Sequence, residues 1–385
     1  MNILIDFITL HRQTGAGEYL RRVIARLLQD VPSQVSCFGV YDSNKGIAYS
    51  DCTPQQMKAH GVTMADVSQT TLCSIIEKYH IDRFFIGCAQ YVGSYEGLER
   101  ISCQAIVVIH DLAYEEQWRE GLDVYYRWKS KSLVSFVNWL AFHRKRDMEN
   151  NDVMQPYVKM IHSNDNHIVV AVSEFTRHSI VYTLGIPEER IRVLYSPERK
   201  YSVTGEEIEH PLLKEIVEEK RRFILLLGAQ NQAKNAQRAV NAFAHYANKH
   251  EDFYLVSVGY RGEPLHKRHL MLPFLSEGDL QKAYQECSAL LYPSLFEGFG
   301  YPPLEAMHYG KPVLASNIGP IREVFGDAPV YFNPFSETDI YQALCSLTPQ
   351  KMIETAKRSK LTYLNVSARQ EKDLDTLIKI LIEVA

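Results

Sequence analysis

Ser-Leu-Phe-Glu-Gly-Phe-Gly-Tyr-Pro-Pro-Leu-Glu, residues 294–305, is the stretch of sequence that decides how this chain folds. A short apolar run, 289–292, precedes it, and an apolar-periodic segment follows it. This order predicts a strand, a glycine loop and the N-terminus of a helix. Glycine lets backbone N–H groups approach a ligand closely, and a helix N-terminus favours anions. The loop is therefore a candidate anion-binding site.

Two glutamates, Glu297 and Glu305, frame this loop with seven residues between them. An anionic ligand alone would not require two carboxylates. A ligand with a phosphate part and a hydroxyl-rich part would, because carboxylates accept hydrogen bonds from sugar hydroxyls. A nucleotide-sugar meets both demands. The alternative, two glutamates on a solvated helix face, is disfavoured because Glu297 precedes the Gly-Phe-Gly loop instead of lying within a helix.

The same stretch resembles the E-x7-E motif of family 4 glycosyltransferases, which are retaining enzymes of the GT-B fold. Its flanks agree with that family: Pro293-Ser294, Glu305-Ala306-Met307, Gly310-Lys311-Pro312-Val313 and Gly319-Pro320-Ile321-Arg322-Glu323-Val324. The resemblance covers most of the chain and implies a ligand cleft between two Rossmann-like domains. It implies that Glu297 contacts the hydroxyls of the donor sugar and that Glu305 binds the ribose hydroxyls. The sugar or phosphate would meet the backbone amides of Gly298, Phe299 and Gly300.

Composition limits the class of protein. A chain of 385 residues with 46% hydrophobic and 23% charged residues suits two globular domains. The net charge of −4 argues against a nucleic-acid binder. The seven cysteines include no C-x-x-C pair, which predicts reduced thiols and no zinc site. There is no apolar run of transmembrane length, and the N-terminus reads as a strand with no signal peptide, so a cytoplasmic protein is expected.

Short apolar runs alternate with longer helical patterns, which predicts an α/β protein with doubly wound parallel sheets. The candidate strands form two sets, 3–6, 35–40, 83–86, 105–109, 167–172 and 192–195, then 223–227, 253–258, 289–292, 313–315 and 330–332. Two sets predict two Rossmann-like domains, an acceptor domain at 1–200 and a nucleotide-sugar donor domain at 201–366. Segment 196–222 is the expected linker. The helix within 367–385 is expected to pack back on the N-terminal domain, as the resemblance implies.

A second predicted strand-to-helix turn carries Lys234. The resemblance implies that this lysine contacts the donor diphosphate, whose charge grows as the glycosidic bond breaks. The family usually has Arg-Lys-Asn here and often an arginine earlier in the loop. This chain has Ala233 and, earlier, Ala229 or Gln230, so one expected cation is missing. Arg261 is the candidate substitute. A solvated surface lysine is the alternative on the motif alone.

The first strand is followed by a glycine turn that contains Gly15 and Gly17 and precedes a helix expected at 19–28. Tight turns need glycine in any case, so the pattern alone is a weak signal. It resembles the family's first glycine-rich loop, near the donor phosphates and the acceptor. Gly15 and Gly17 are therefore candidate donor-binding residues.

His110 and Asp111 end a buried strand of the N-terminal half. In open parallel sheets that end of a strand faces the ligand crevice, where a histidine can donate a hydrogen bond to a hydroxyl or a developing charge. The pair matches the family's His-Asp-Leu element. His110 is therefore a candidate catalytic residue and Asp111 an acceptor-side candidate. The alternative for His110 is a histidine satisfied inside the core.

Segment 127–146 holds six Lys/Arg residues, no Asp/Glu and several aromatic residues. It fits an interfacial helix that docks on anionic lipid. An ordinary helix with its apolar face on the domain core and its basic ends in water is the favoured alternative. All three tryptophans lie in this neighbourhood, and Trp118 is an acceptor-side candidate because aromatic faces stack on sugar rings.

We therefore expect a retaining, metal-independent hexosyltransferase that extends a lipid-linked glycan in bacterial O-antigen or capsule biosynthesis. The resemblance favours GDP-mannose over a UDP-hexose as donor, with no cofactor. Asp373-Leu374-Asp375 does not predict a metal clamp, because residues i and i+2 of a helix point apart. The alternatives are a non-catalytic GT-B scaffold or partner subunit, a sugar-nucleotide epimerase, and a phosphorylase that uses pyridoxal phosphate.

Overall fold

The computed structural model describes residues 1–91, 95–113, 116, 155–199, 207–229 and 232–383. The chain forms two compact units, Met1–Arg199 with Arg369–Ala385, and Lys200–Ala368. Each unit is built on one parallel sheet with helices between successive strands. No helix in the described ranges combines the length and apolar character needed to cross a bilayer.

The first unit contains a seven-stranded sheet with the strand order β3-β2-β1-β4-β5-β6-β7. Its strands are β1 (Asn2–Asp6), β2 (Ser36–Tyr41), β3 (Thr63–Asp66), β4 (Arg83–Ile86), β5 (Gln104–Ile109), β6 (Ile168–Ala171) and β7 (Ile191–Val193). The central strands are buried along nearly their whole length, because helices cover both faces of a doubly wound sheet. This explains why they read as continuous apolar runs in the sequence.

Helices complete the first unit. They are α1 (Gly15–Gln29), α2 (Pro54–Ala59), α3 (Leu72–Lys78) and α4 (Glu174–Leu184), with a further helical segment at 155–163 and 3₁₀ turns at Ile8–His11, Ser50–Cys52, Ala89–Tyr91, Leu98–Arg100 and Glu188–Arg190. The C-terminal residues of the chain pack on this unit as well. Arg26 forms an ion pair with Asp375 at 2.8 Å, and Gln370 donates to the Ser196 carbonyl at 2.5 Å.

The second unit contains a six-stranded sheet with the strand order β10-β9-β8-β11-β12-β13. Its strands are β8 (Phe223–Leu226), β9 (Tyr254–Val258), β10 (His269–Leu272), β11 (Ala289–Tyr292), β12 (Val313–Ser316) and β13 (Val330–Phe332). Its helices are α5 (Pro211–Glu218), α6 (Ala236–Ala247), α7 (Glu277–Glu286), α8 (Tyr301–His308), α9 (Gly319–Phe325) and α10 (Glu337–Cys345), with a 3₁₀ turn at Gln232–Lys234. Helix α11 spans Pro349–Ile382, and its residues from Arg369 onward belong to the first unit. Strands β8 and β11 are hydrogen-bonded neighbours, so the turns that follow them start from the same edge of the sheet.

Two helix boundaries differ from the sequence-based expectation. Helix α1 begins at Gly15 because the Thr14 side chain caps it, accepting from the Gly17 N–H at 3.1 Å. Gly15 and Gly17 are therefore in the first turn of the helix, and the expected glycine turn before residue 19 is wrong. Helix α11 likewise begins at Pro349, well before the expected start at residue 367.

Candidate functional site

Lys234 and Glu297 lie in direct contact in the second unit. Lys234 ends the 3₁₀ turn that follows β8, and Glu297 lies in the loop that follows β11. The Lys234 Nζ donates a hydrogen bond to Glu297 Oε1 and forms an ion pair with it. The side chains keep 25% and 12% of their surface exposed, respectively, so both charges are accessible to a ligand.

Two hydroxyl groups also converge on Glu297. The Tyr292 hydroxyl donates to Oε1, and the Ser294 hydroxyl lies 2.6 Å from the same oxygen. The Lys234 Nζ is 3.2 Å from the Tyr292 hydroxyl oxygen. Within the described residues all three donors reach Oε1 and none reaches Oε2. A carboxylate oxygen accepts hydrogen bonds only, so a hydroxyl that meets Oε2 would have to donate to it.

Tyr292 is the last residue of β11 and is buried. Burial raises the pKa of its phenol well above the usual range, and the negative charges of Glu297 and Glu305 raise it further. The phenol is therefore protonated at neutral pH and acts as a hydrogen-bond donor to Glu297.

Glu305 lies on helix α8 and is also buried. The hydroxyl of Tyr284, a buried residue of α7, lies 2.5 Å from Glu305 Oε2. Each glutamate of the pair thus receives a hydrogen bond from a different buried tyrosine. Because both tyrosines are buried in the core, their hydroxyls hold the two carboxylates in fixed positions.

The backbone of the loop between the glutamates depends on glycine at one position. Gly300 caps α8 with φ +103°, and a Cβ there would lie 2.6 Å from Ile321 Cδ1. Neither this dihedral nor this space suits another residue. Gly298 and Phe299 are buried, which leaves the loop packed against the unit.

Asn235 connects the Lys234 turn to the loop that carries Glu297. It adopts a left-handed conformation with φ +56°, and its Nδ2 donates to the carbonyls of Pro293, at 3.0 Å, and Pro334, at 2.7 Å. Arg238 donates to its Oδ1 at 2.9 Å. Because these groups are buried, the contacts fix the turn that presents Lys234.

The first unit holds the candidate residues of the N-terminal half. His110 Nε2 lies 2.9 Å from the Gly87 carbonyl, and the ring meets Tyr19 edge-on at a centroid distance of 4.9 Å. Burial lowers the pKa of His110, so the ring is neutral. A carbonyl can only accept, which places the proton on Nε2 and makes Nδ1 an acceptor. In this state His110 would accept from a ligand hydroxyl, whereas the sequence suggested a donor.

The other N-terminal candidates have local structural contacts. Asp111 Oδ1 accepts from the Ala113 N–H at 3.0 Å. A Cβ at Gly17 would lie 2.5 Å from the Tyr49 hydroxyl, so Gly17 makes room for that ring, while Gly15 is exposed at the helix start. Trp118 lies outside the described residues, as does the candidate lipid-contact segment 127–146.

No cluster of three or more metal-ligating side chains occurs in the part of the chain that the structure describes. Asp373 accepts from the Tyr195 N–H at 2.9 Å, whereas Asp375 pairs with Arg26. The two aspartates of the Asp-x-Asp sequence thus have different partners.

Sequence reasoning missed Tyr292, Ser294, Tyr284 and Asn235 as members of the site. One signal was present for the first two. Tyr292 is the last residue of a buried strand and Ser294 follows two positions later, so both stand where a parallel strand delivers side chains to its ligand edge. Tyr284 had no such signal, because it reads as an ordinary core residue of a helix.

Residues 212–358 match the family model described as Glycosyl transferases group 1. The chain is 28% identical over 212 residues to the serotype-specific mannosyltransferase WbdA of Escherichia coli, covering 50% of this chain and 26% of the relative. It is also 28% identical over 218 residues to the O-antigen chain mannosyltransferase RfbU of Salmonella typhimurium, covering 53% and 56% of the two chains. The matched region thus spans about half or less of these curated relatives.

A solved structure of HepE from Anabaena, in complex with UDP and glucose, superposes on the whole chain. The TM-score is 0.63 at 15% sequence identity, and the match covers 98% of this chain and 99% of the other. The two parallel sheets and this match confirm the predicted fold. The chain has the GT-B fold, and the segment that matches the glycosyl transferases group 1 model carries Lys234, Glu297 and Glu305.

Proposed function

We propose that the chain is a retaining hexosyltransferase that moves a sugar, with mannose preferred, from a nucleotide-sugar to a lipid-linked glycan of the O-antigen or capsule type. The observation that carries this proposal is the contact of Lys234 with Glu297 at adjacent strand ends of the glycosyl transferases group 1 domain. The names of the two mannosyltransferase relatives support glycan assembly and the choice of mannose. HepE was solved with UDP and glucose, so a UDP-hexose is the second donor to test.

The charges at the site suit the two parts of such a donor. Lys234 supplies a cation for the diphosphate, where negative charge grows as the bond to the anomeric carbon breaks. Glu297 accepts hydrogen bonds from the sugar hydroxyls through Oε2, and Glu305 accepts them from the ribose. Gly15, Gly17 and the amides of Gly298, Phe299 and Gly300 complete the candidate donor-binding set.

The proposed reaction needs no nucleophile from the protein. The bond between the anomeric carbon and the phosphate oxygen breaks, and the acceptor oxygen bonds to that carbon on the same face. The proton of the acceptor hydroxyl passes to the departing phosphate. His110, with Nδ1 as an acceptor, would orient a hydroxyl, and we assign the acceptor to the first unit with Asp111 and Trp118 as candidate contacts.

Ala233 favours one alternative from another class, a non-catalytic GT-B partner that binds a donor without turnover. This residue stands where the family usually has an arginine, so the phosphate site has one cation fewer. Lipid contact by segment 127–146 is a separate proposal, supported by its six basic residues and its aromatic content.

A panel of GDP-, UDP-, ADP- and dTDP-sugars tests the proposal by measuring binding and slow hydrolysis, with Lys234→Ala and Glu297→Ala as site variants. We expect one donor to bind and release its nucleotide, and both variants to lose hydrolysis. Binding without turnover, even when lipid-linked glycan acceptors are supplied, would favour the non-catalytic partner. If no donor binds, the hexosyltransferase proposal is wrong.

A further inference from the structure

The carboxylate oxygen Glu297 Oε1 has more hydrogen-bond donors around it than it has lone pairs to accept them. The ammonium of Lys234 and the hydroxyls of Tyr292 and Ser294 all reach it. One carboxylate oxygen offers about two lone-pair positions, so the three donors share them. The arrangement therefore allows one donor to leave without stripping the carboxylate of its hydrogen bonds.

The three donors differ in their freedom to move. Tyr292 is a buried ring at the end of a central strand, and Ser294 is fully buried. Lys234 is one-quarter exposed and has four rotatable bonds in its stem. A lysine can swing to a new partner, whereas the phenol and the serine hydroxyl are held by packing.

We propose that Tyr292, supported by Ser294, is a positioning residue that keeps Glu297 in place when Lys234 leaves this carboxylate for the donor diphosphate. This inference rests on the proposed function, since it assumes that a nucleotide-sugar occupies the site. In this structure Lys234 forms an ion pair with Glu297. In the loaded site the two hydroxyls hold Oε1, and Oε2 keeps its orientation toward the sugar.

The physical need for such a replacement follows from charge. A partly buried carboxylate that loses its cation is stabilised only if hydrogen bonds remain, and bonds to a charged acceptor are the strong ones. The Tyr292 hydroxyl is protonated and lies on Oε1 already, so no rearrangement is needed. A phenylalanine at this position would fill the same space without supplying the donor.

The test is Tyr292→Phe in the full chain, with the affinities for GDP and GDP-mannose measured by calorimetry and the same pair measured for UDP and UDP-glucose. The ratio of nucleotide-sugar to nucleotide affinity reports the contribution of the sugar. We expect Tyr292→Phe to lower this ratio by about 10-fold, the effect of one charge-assisted hydrogen bond, with nucleotide affinity changed less than about threefold.

The matched control is Tyr246→Phe. Tyr246 is also a buried tyrosine of the second unit, and its hydroxyl donates to the Asp252 carboxylate at 2.7 Å, in the segment between α6 and β9. The Tyr246→Phe change removes the same hydroxyl oxygen beside the same kind of acceptor. We expect this variant to have the same affinity ratio as the wild type. An equal loss in both variants would assign the effect to packing and overturn the proposal.

A double-mutant cycle tests whether Tyr292 acts through Glu297. In a Glu297→Ala background, Tyr292→Phe should have no further effect on the affinity ratio. Additive effects would show that Tyr292 does not act through Glu297. This result would overturn the inference and leave the proposed function standing. If the wild type binds none of the nucleotide-sugars, the proposed function fails first and the inference fails with it. Wild-type sugar binding together with an unchanged Tyr292→Phe ratio would leave the proposed function standing and remove only the inference.

Discussion

Two carboxylates, one in each unit, have similar positions in their sheets and similar hydrogen-bond donors. Asp6 is the last residue of β1 and accepts from the Tyr95 hydroxyl at 2.7 Å. Glu297 follows β11 and accepts from the Tyr292 hydroxyl. Both groups therefore lie at the carboxyl ends of central parallel strands and meet a buried phenol. Their positions in the sheets alone would assign them the same role.

They differ in exposure and in charge balance. Asp6 is fully buried, and its remaining partners are the Ile8 N–H and the Thr9 hydroxyl, both at 3.0 Å and both in the turn that follows β1. Glu297 is partly exposed and pairs with Lys234. The turn that follows β1 encloses the first carboxylate, whereas the second keeps 12% of its side-chain surface exposed and pairs with a lysine that can move. Exposure next to an exchangeable cation separates the candidate functional group from the structural one.

The largest expected effect is on activity, at Glu297. Glu297→Gln keeps the size of the side chain but removes the charge, so we expect kcat/KM for the cognate donor to fall by about 100- to 1,000-fold. The midpoint of thermal unfolding should change little, because the amide oxygen of glutamine can still accept from Lys234, Tyr292 and Ser294. Donor hydrolysis and differential scanning calorimetry measure the two quantities. A large loss of stability with normal activity would show that Glu297 is a structural group, as Asp6 is, and would contradict this prediction.

Asp6 should show the opposite pattern. Asp6→Ala leaves the Ile8 N–H and the hydroxyls of Thr9 and Tyr95 without their acceptor in a buried site, so we expect the free energy of unfolding to fall by about 3 kcal/mol. Urea unfolding measures it. Asp327→Ala is the control, because Asp327 is 94% exposed and should cost less than about 0.5 kcal/mol. Equal effects of the two changes would contradict the structural role of Asp6.

The strands were predictable from sequence wherever a strand is buried on both faces. Ten of the eleven predicted strands begin and end within one residue of the observed bounds; the exception is 192–195, observed as Ile191–Val193. The two strands that were missed, β3 and β10, are both at the edge of a sheet. Only His269 and Leu272 are buried among the eight residues of these two strands, so neither strand reads as a continuous buried apolar run.

The site was predictable only for residues that belong to a charged or glycine-rich pattern. Glu297 could be named from the two carboxylates that frame a glycine loop, and Lys234 from the resemblance to family 4 glycosyltransferases. Their hydrogen bond could not be, since it depends on the conformation of two loops. Tyr292 and Asp6 show the limit most clearly, because whether a polar side chain at a strand end is enclosed or open is decided by the packing of the turn that follows.

Gly300 tests how firmly the Glu297 loop is held. Gly300→Ala introduces a Cβ 2.6 Å from Ile321 Cδ1 at φ +103°, and we expect about 2 kcal/mol of destabilisation. Gly310→Ala is the matched control, since Gly310 also has a positive φ, +65°, but a Cβ there meets nothing within 4 Å. It should cost about 1 kcal/mol from the backbone alone. If the two variants unfold at the same urea concentration, the loop can relax and its packing does not hold Glu297.

The smallest expected effect is a dependence of stability on pH that comes from Asp6. Burial raises the pKa of Asp6 to about 6, while an unfolded aspartate titrates near 3.9. A group whose pKa is raised by folding contributes its full stability below the unfolded pKa and loses it as the pH rises through the folded pKa. Asn cannot titrate, so Asp6→Asn removes this dependence and leaves other titrating groups unchanged. Between about pH 5 and pH 7.5 the difference in unfolding free energy should therefore move by about 1 kcal/mol in favour of the Asn variant. Urea titrations of both proteins at a series of pH values measure this difference. A constant difference would show that Asp6 is not desolvated and would remove the contrast with Glu297.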